Sequence, residues 1–87
     1  MRLRVFGRIQ GVGFRSWAYR HALRLGIRGW VRNEADGTVI CECQGQADAL
    51  QVFTAALRRG PPFARVDRIE ANQIPPARKY HAFEIEY

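Results

Sequence analysis

The 87-residue sequence has no long apolar segment, only two cysteines and a single lysine. No apolar run approaches the ~20 residues that a helix needs to cross a bilayer. Residues 1–5 alternate between apolar and basic side chains, and no apolar signal-peptide segment follows these charges. The sequence therefore predicts a soluble, non-exported protein of the cytoplasm with no membrane partner.

The few cysteines and histidines do not suggest a disulfide framework or a metal centre. Cys41 and Cys43 are two residues apart on a predicted strand, so they share a face, and a bridge between them would be strained. We interpret both as small buried residues in a reducing compartment. A C-x-C metal clip is the alternative, but no further ligand is near, and His21 and His81 stand alone. We predict no metal and no other cofactor.

The charge is strongly basic although lysine is nearly absent. Fourteen Lys and Arg residues face eight Asp and Glu, a net charge of +6, and every strong base except Lys79 is arginine. The planar guanidinium suits phosphate and carboxylate groups. The composition thus favours either a nucleic-acid binder or a site for a small anion, while a genome-wide arginine preference explains most single arginines equally well.

The length and the hydrophobic periodicity predict the fold. A chain of 87 residues is shorter than a typical domain of about 100–150, so we expect one domain over residues 1–87. Alternating patterns predict strands over residues 3–9, 30–33, 38–44, within 64–72 and from 81 to the end, and helical periodicity predicts helices over 14–25 and 48–58. Asp36-Gly37 predicts a hairpin turn, and residues 74–78 a loop.

This order, β-α-β-β-α-β with a short terminal extra strand, is typical of an α+β ferredoxin-like two-layer sandwich. Both helices should cover one face of a mainly antiparallel sheet. The first helix should bury Phe14, Ala18, Ala22 and Leu25, with His21 at the flank. Trp17, Trp30 and Phe53 are also expected in the core. The fold hosts many unrelated functions and therefore does not decide this one.

The junction between the first strand and the first helix is the main candidate site. A short glycine-bearing turn at a helix N-terminus presents several unpaired N–H groups, which together with the helix dipole favour an anion. Arg15 lies in the first helical turn, where a cation disfavours the helix unless an anion is bound. An ordinary βα turn is the alternative. The sequence has Ser16 in place of a third fingerprint glycine and no Gly-Lys-Ser/Thr, so nucleotide-binding motifs do not fit.

Asn33 is the second candidate residue. It lies at the end of the second predicted strand, just before the hairpin turn, and its amide can both donate and accept hydrogen bonds. Taken alone, an asparagine here indicates ordinary turn chemistry. No cysteine, Ser-His or paired-carboxylate arrangement suggests a covalent mechanism, so any reaction must depend on positioning and charge stabilisation.

Two segments resemble the signatures of one family. Residues 5–15 (VFGRIQGVGFR) resemble the first signature of the acylphosphatases, and residues 29–33 (GWVRN), followed by 37–39 and Gly45, resemble the second. They occur in the expected order and separation, and the resemblance covers essentially the whole chain. Residues 61–67 and 83–85 also resemble bacterial members. Ile9 stands where valine is usual, which is a conservative change in a strand.

The resemblance implies a small monomeric hydrolase that cleaves acyl phosphates to a carboxylate and inorganic phosphate without a metal or a phosphoenzyme. In such an enzyme Asn33 would orient the attacking water. The phosphoryl group would be held by Arg15 and the backbone amides of the preceding loop, which are those of Gln10, Gly11, Val12, Gly13 and Phe14.

Two alternatives accompany this interpretation. The RNA-recognition fold shares the element order, but it stacks bases on aromatic residues of its third and first strands, and here the third strand has none and Phe6 is the lone candidate on the first. We therefore expect no specific nucleic-acid partner. Similar domains also begin larger hydrogenase-maturation carbamoyltransferases, which act on carbamoyl phosphate. Those domains typically have proline directly after the signature arginine, where this chain has Ser16.

Overall fold

A computed structural model of the protein describes residues 1–75 and 78–87. Five strands and two helices occur in the order β1 (Arg2–Arg8), α1 (Phe14–Leu25), β2 (Arg28–Asn33), β3 (Val39–Gln44), α2 (Ala47–Arg59), β4 (Arg65–Asn72) and β5 (Phe83–Glu86). Every predicted element is present, with ends shifted by one or two residues. The predicted loop over 74–78 lies partly outside the described residues.

The strands form one sheet in the order β4-β1-β3-β2-β5. All neighbouring pairs are antiparallel except β2 and β5, which are parallel. Helix α1 packs against β2 and β5, α2 packs against β4, and the two helices contact each other. The predicted ferredoxin-like sandwich with a terminal extra strand is therefore confirmed. No helix in the described part of the chain is both long and apolar enough to cross a membrane.

The core lies between the helices and the sheet. Its fully buried side chains alternate along the strands and include both cysteines, which are free thiols. Burial raises the pKa of the Cys41 thiol, because a thiolate is poorly stabilised in apolar surroundings. The predicted role of Cys41 and Cys43 as small buried residues is confirmed. The buried cluster is formed mainly by Leu3, Val5, Phe14, Ala18, Ala22, Val31, Val39, Phe53, Leu57 and Phe83.

Trp30 is buried, as predicted, but on the opposite face of the sheet from the helices. Its neighbour Val31 points into the core, and side chains alternate along a strand, so the indole must face the other way. There Trp30 Nε1 donates to Tyr80 Oη at 3.0 Å, and Tyr80 donates to Glu42 Oε1 at 2.8 Å. Burial favours the neutral carboxyl of Glu42, but hydrogen bonds from Arg2 and Tyr80 outweigh it and lower its pKa.

His21, on α1, is buried, whereas the sequence placed it at the flank of the core and placed Leu25 inside. Leu25 is only partly buried. The His21 ring lies 4.5 Å from the Trp17 ring, measured between centroids, and its Nδ1 is 2.6 Å from Arg24 Nη2. Arginine can only donate, so Nδ1 must accept, which requires the neutral ring.

This environment predicts a pH-dependent stability. Burial, followed by the charges of Arg24, Arg59 and Arg20, lowers the pKa of His21 in the folded state. The unfolded chain therefore takes up the proton first, and the stabilisation that is present above about pH 6.5 decreases as the pH falls. Urea denaturation between pH 7.5 and 5.5 should show this decrease, and His21→Gln should flatten it while keeping an acceptor for Arg24.

The exposed His81 provides a matched control, because His81→Gln should retain the pH dependence of the parent protein. An unchanged pH dependence in His21→Gln would contradict the assignment.

Candidate active site

The turn between β1 and α1 depends on two glycines. Gly11 and Gly13 have φ values of 76° and 81°, in the left-handed region that L-residues with a side chain rarely adopt. A Cβ atom at either position would meet no atom within 4 Å. The glycines are thus required by the backbone conformation and leave the surface of the turn open to a ligand.

The N-terminus of α1 has unpaired backbone donors. Gly13 occupies the N-cap position and offers no side-chain cap, and the first turn contains no acidic residue. Among the described residues, no backbone hydrogen bond outside the regular elements is donated by the N–H groups of residues 10–16, whereas Trp17 N–H already donates to Gly13 at 3.0 Å. Unpaired N–H groups at the positive end of a helix dipole favour an anion.

Arg15 extends from the first turn of α1 toward the end of β5. Its Nη1 donates to the carbonyl oxygen of Glu86 at 3.2 Å, and its guanidinium carbon lies 4.7 Å from the centroid of the Tyr87 ring. A guanidinium has five N–H donors. The contact with Glu86 therefore orients the group and leaves most of its donors for another partner.

Asn33 lies at the end of β2 on the face of the sheet that the helices cover. It has the same orientation as Val31, two residues earlier, and pairs with Val39 across the ladder. Its Oδ1 atom is buried and has no hydrogen-bond partner within residues 1–75 and 78–87. An unpaired buried acceptor costs about 1–3 kcal/mol, and this oxygen is free to accept a hydrogen bond from a bound molecule.

The hairpin between β2 and β3 closes beside this asparagine. Glu34 N–H donates to Thr38 O at 2.9 Å, and the Thr38 N–H and hydroxyl both donate to Asp36 Oδ1, at 3.0 and 2.6 Å. These two bonds, the hydroxyl first, lower the pKa of Asp36. The Gln10 side-chain amide reaches across and donates to Glu34 O and Thr38 O at 2.8 and 3.0 Å.

A cavity of about 100 Å³ connects the turn with the hairpin. Of the predicted site residues, Gly11, Gly13, Phe14, Arg15 and Asn33 line it together, whereas Gln10 and Val12 do not. The other lining residues are Ile9 and Ser16.

Ser16 lies at the cavity although the sequence did not predict it as a site residue. Its place in the first helical turn, directly after Arg15, was the available signal.

A larger groove, of about 620 Å³, lies at the other end of the sheet, where Arg28 of β2 pairs with Gln44 of β3. Arg28, Arg78 and Lys79 make it basic. It has neither the glycine turn nor the N-terminus of α1. Its size therefore does not make it the better candidate for binding a phosphoryl group.

The uncovered face of the sheet bears on the RNA alternative. Phe6, the one aromatic residue of β1, lies under the guanidinium of Arg68 at 3.8 Å from its ring centroid. Trp30 is only 8% exposed. Bases stack on free aromatic faces, and these two faces are covered.

Residues 1–75 and 78–87 contain no group of three or more His, Cys, Asp or Glu residues placed to hold a metal ion.

Comparisons with known proteins show the family of the chain. The model of the Acylphosphatase family matches residues 1–85. The chain belongs to the acylphosphatase family. It is 56% identical over 71 residues to the acylphosphatase of Nitratidesulfovibrio vulgaris, which covers 82% of this chain and 71% of that protein. It is 43% identical over 82 residues to that of Salinibacter ruber, covering 94% and 86%. The predicted family, and with it the prediction of a hydrolase acting on acyl phosphates, is confirmed.

Solved structures of acylphosphatases have the same fold. The crystal structure of acylphosphatase from Bacillus subtilis superposes with a TM-score of 0.95 at 38% identity, covering 99% of this chain and 96% of that one. HypF from T. kodakarensis contains a similar region, with a TM-score of 0.88 at 34% identity, but the match covers only 12% of that chain.

The unpaired oxygen of Asn33 predicts an effect on stability. Asn33→Ala removes a buried acceptor without a partner and should raise the free energy of unfolding by about 1 kcal/mol. Urea denaturation measures the change. Asn72→Ala, at the exposed end of β4, is the control and should stay within about 0.5 kcal/mol of the parent. Destabilisation by Asn33→Ala would show that the amide serves the fold.

Proposed function

We propose that this acylphosphatase-family protein hydrolyses acyl phosphates without a metal ion, holding the phosphoryl group on the turn at residues 10–14 and on Arg15. Asn33 orients the attacking water. The observation that carries the proposal is the common cavity, which brings the glycine turn, Arg15 and the unpaired Asn33 oxygen together.

The phosphoryl group is bound by the N–H groups that lack backbone partners at the start of α1. A phosphoryl oxygen accepting from them completes the hydrogen bonding of the helix end and benefits from its dipole. Arg15 adds a charge-assisted contact. Preorganised N–H donors and a guanidinium stabilise the charge on the equatorial oxygens in the transition state.

The attacking water is held by Asn33 in line with the bond that breaks. The water oxygen bonds to phosphorus, the acyl oxygen leaves with its electron pair as a carboxylate, and the water proton passes to a phosphoryl oxygen. A carboxylate is a good leaving group, so no general acid is needed. The lining residues accordingly include no carboxylate or imidazole side chain.

The size of the cavity supports recognition of the phosphoryl end of the substrate. About 100 Å³ is well below the ~300–1,000 Å³ of typical small-molecule pockets. The phosphoryl group enters it, while the acyl group remains at the opening. We therefore propose that the enzyme accepts acyl phosphates with different acyl groups and releases inorganic phosphate. We also propose that residues 1–87 form one domain, which acts as a monomer in the cytoplasm.

Replacement of Arg15 tests this proposal. Arg15→Ala should abolish hydrolysis of benzoyl phosphate in the presence of excess chelator and weaken inhibition by inorganic phosphate, because binding and transition-state stabilisation both lose the guanidinium. Arg15→Lys should also fail, with a loss of at least about 100-fold in kcat/KM, since a point charge cannot replace the planar group. Steady-state kinetics measure both effects.

Arg20→Ala is the matched control, because Arg20 is an exposed arginine of the same helix. It should retain the parent activity. Near-parental hydrolysis by Arg15→Ala would refute the proposed site.

Replacement of Asn33 tests whether its side chain orients the attacking water. Asn33→Ala should lower kcat by about 100-fold and leave KM almost unchanged, because positioning the nucleophile matters in the transition state. The kinetics are compared with those of Asn72→Ala. A large rise in KM at unchanged kcat would instead assign Asn33 to substrate binding.

A further inference from the structure

The side chain of Gln10 joins the two parts of the proposed site. Gln10 begins the glycine turn, and its Nε2 donates to Glu34 O at 2.8 Å and to Thr38 O at 3.0 Å, on the two sides of the hairpin. We infer that Gln10 is a positioning residue whose side-chain amide sets the distance between the phosphoryl-binding turn and Asn33. The inference rests on the proposed function and deepens it.

The two contacts use acceptor sites that the hairpin itself leaves free. Glu34 O already accepts from Gly37 N–H at 3.1 Å, and Thr38 O from Glu34 N–H at 2.9 Å. A carbonyl oxygen has two lone pairs, so each can take one further donor. The NH₂ group of Gln10 supplies two N–H donors from a single atom. A glutamate of the same length would supply none when ionised.

The position of the Asn33 amide depends on the contact between Gln10 and the hairpin, because no hydrogen bond from the described residues holds its Oδ1 atom. The backbone of Asn33 pairs with Val39, and this residue directly precedes Glu34, which accepts from Gln10. A shift of the hairpin relative to the turn therefore moves the Asn33 amide relative to the bound phosphoryl group.

The expected effect is on the chemical step and not on binding. A misplacement of about 1 Å can lower a rate by about 100-fold. The N–H groups of the turn and the Arg15 guanidinium remain when the Gln10 side chain is removed. Phosphate should therefore bind the variant nearly as well as the parent enzyme.

A double-mutant cycle tests the inference. Gln10→Ala should lower kcat for benzoyl phosphate by about 10- to 100-fold, with the inhibition constant of inorganic phosphate changed by less than about threefold. In the Asn33→Ala background, the same replacement should lower kcat by less than about threefold, because the residue through which Gln10 acts is already absent. Gln10→Glu, which keeps the size of the side chain, is measured in parallel in case Gln10→Ala does not fold.

Gln44→Ala is the matched control. Gln44 also donates its side-chain amide to a backbone carbonyl, that of Arg78, at 2.8 Å, but at the other end of the sheet. Loss of this hydrogen bond should lower the free energy of unfolding without changing kcat. Equal kcat losses of Gln10→Ala in both backgrounds, an unchanged kcat, or a parallel loss of phosphate affinity would each overturn the inference.

A readout independent of turnover separates this inference from the proposed function. The side-chain amide signals of Asn33 in an NMR spectrum should shift in Gln10→Ala and not in Gln44→Ala. An inactive parent enzyme would contradict the proposed function alone. Unshifted Asn33 signals would overturn the role of Gln10 whatever the activity.

Discussion

The arrangement of the site depends on the unpaired N–H groups at the start of α1. A helix begins with donors that have no intrahelical acceptor, and most proteins satisfy them with a side-chain cap or an acidic first turn. Here Gly13 occupies the cap position, and the first turn contributes Arg15 instead of an acid. Gly13 supplies no side-chain acceptor for the free N–H groups, and the cation disfavours the helix end, so a bound phosphoryl group would offset both. The site is therefore built from backbone geometry, with few functional side chains.

The sheet brings the remaining parts to this helix end. Strands β1 and β2 are both antiparallel to β3, which lies between them, so they run in the same direction. The hairpin after β2 therefore lies at the same end of the sheet as the glycine turn after β1. Asn33 reaches the cavity because it occupies the last inward-facing position of its strand. The pairing of β2 with β5 likewise places the Glu86 carbonyl oxygen where it orients Arg15. Long-range pairing thus determines the positions of the two side chains, Arg15 and Asn33, to which we assign roles.

Much of this could be predicted from the sequence, because local patterns carry it. Three patterns correspond to elements of the structure. They are the alternation of apolar and polar residues in the strands, the apolar stripe of α1 that contains Phe14 and Ala18, and the glycine at position 26 that ends this helix. Helix α1 ends at Gly26 with φ of 69°, as the glycine predicted. The glycine turn and Arg15, which the sequence predicts to lie together, do line one cavity.

The sequence does not show which distant residue covers a side chain. Trp30 is buried, as expected, but the residue that accepts its indole N–H is Tyr80, 50 positions away in sequence. His21 is buried, and its ring is close enough to Arg59 of α2 for that charge to lower its pKa, which its position on α1 alone could not reveal. The bonds from Gln10 to the hairpin cross a sequence separation of 24 and 28 residues, and a glutamine in a turn carries no signal of such a partner.

Titration with inorganic phosphate, followed by backbone amide NMR, tests the central claim most directly. The largest shift changes should occur at the N–H groups of residues 10–15, with Asn33 also affected, and Arg15→Ala should weaken them. Changes concentrated instead around Arg28 and Lys79, in the larger basic groove, would contradict the assignment of the phosphoryl-binding site.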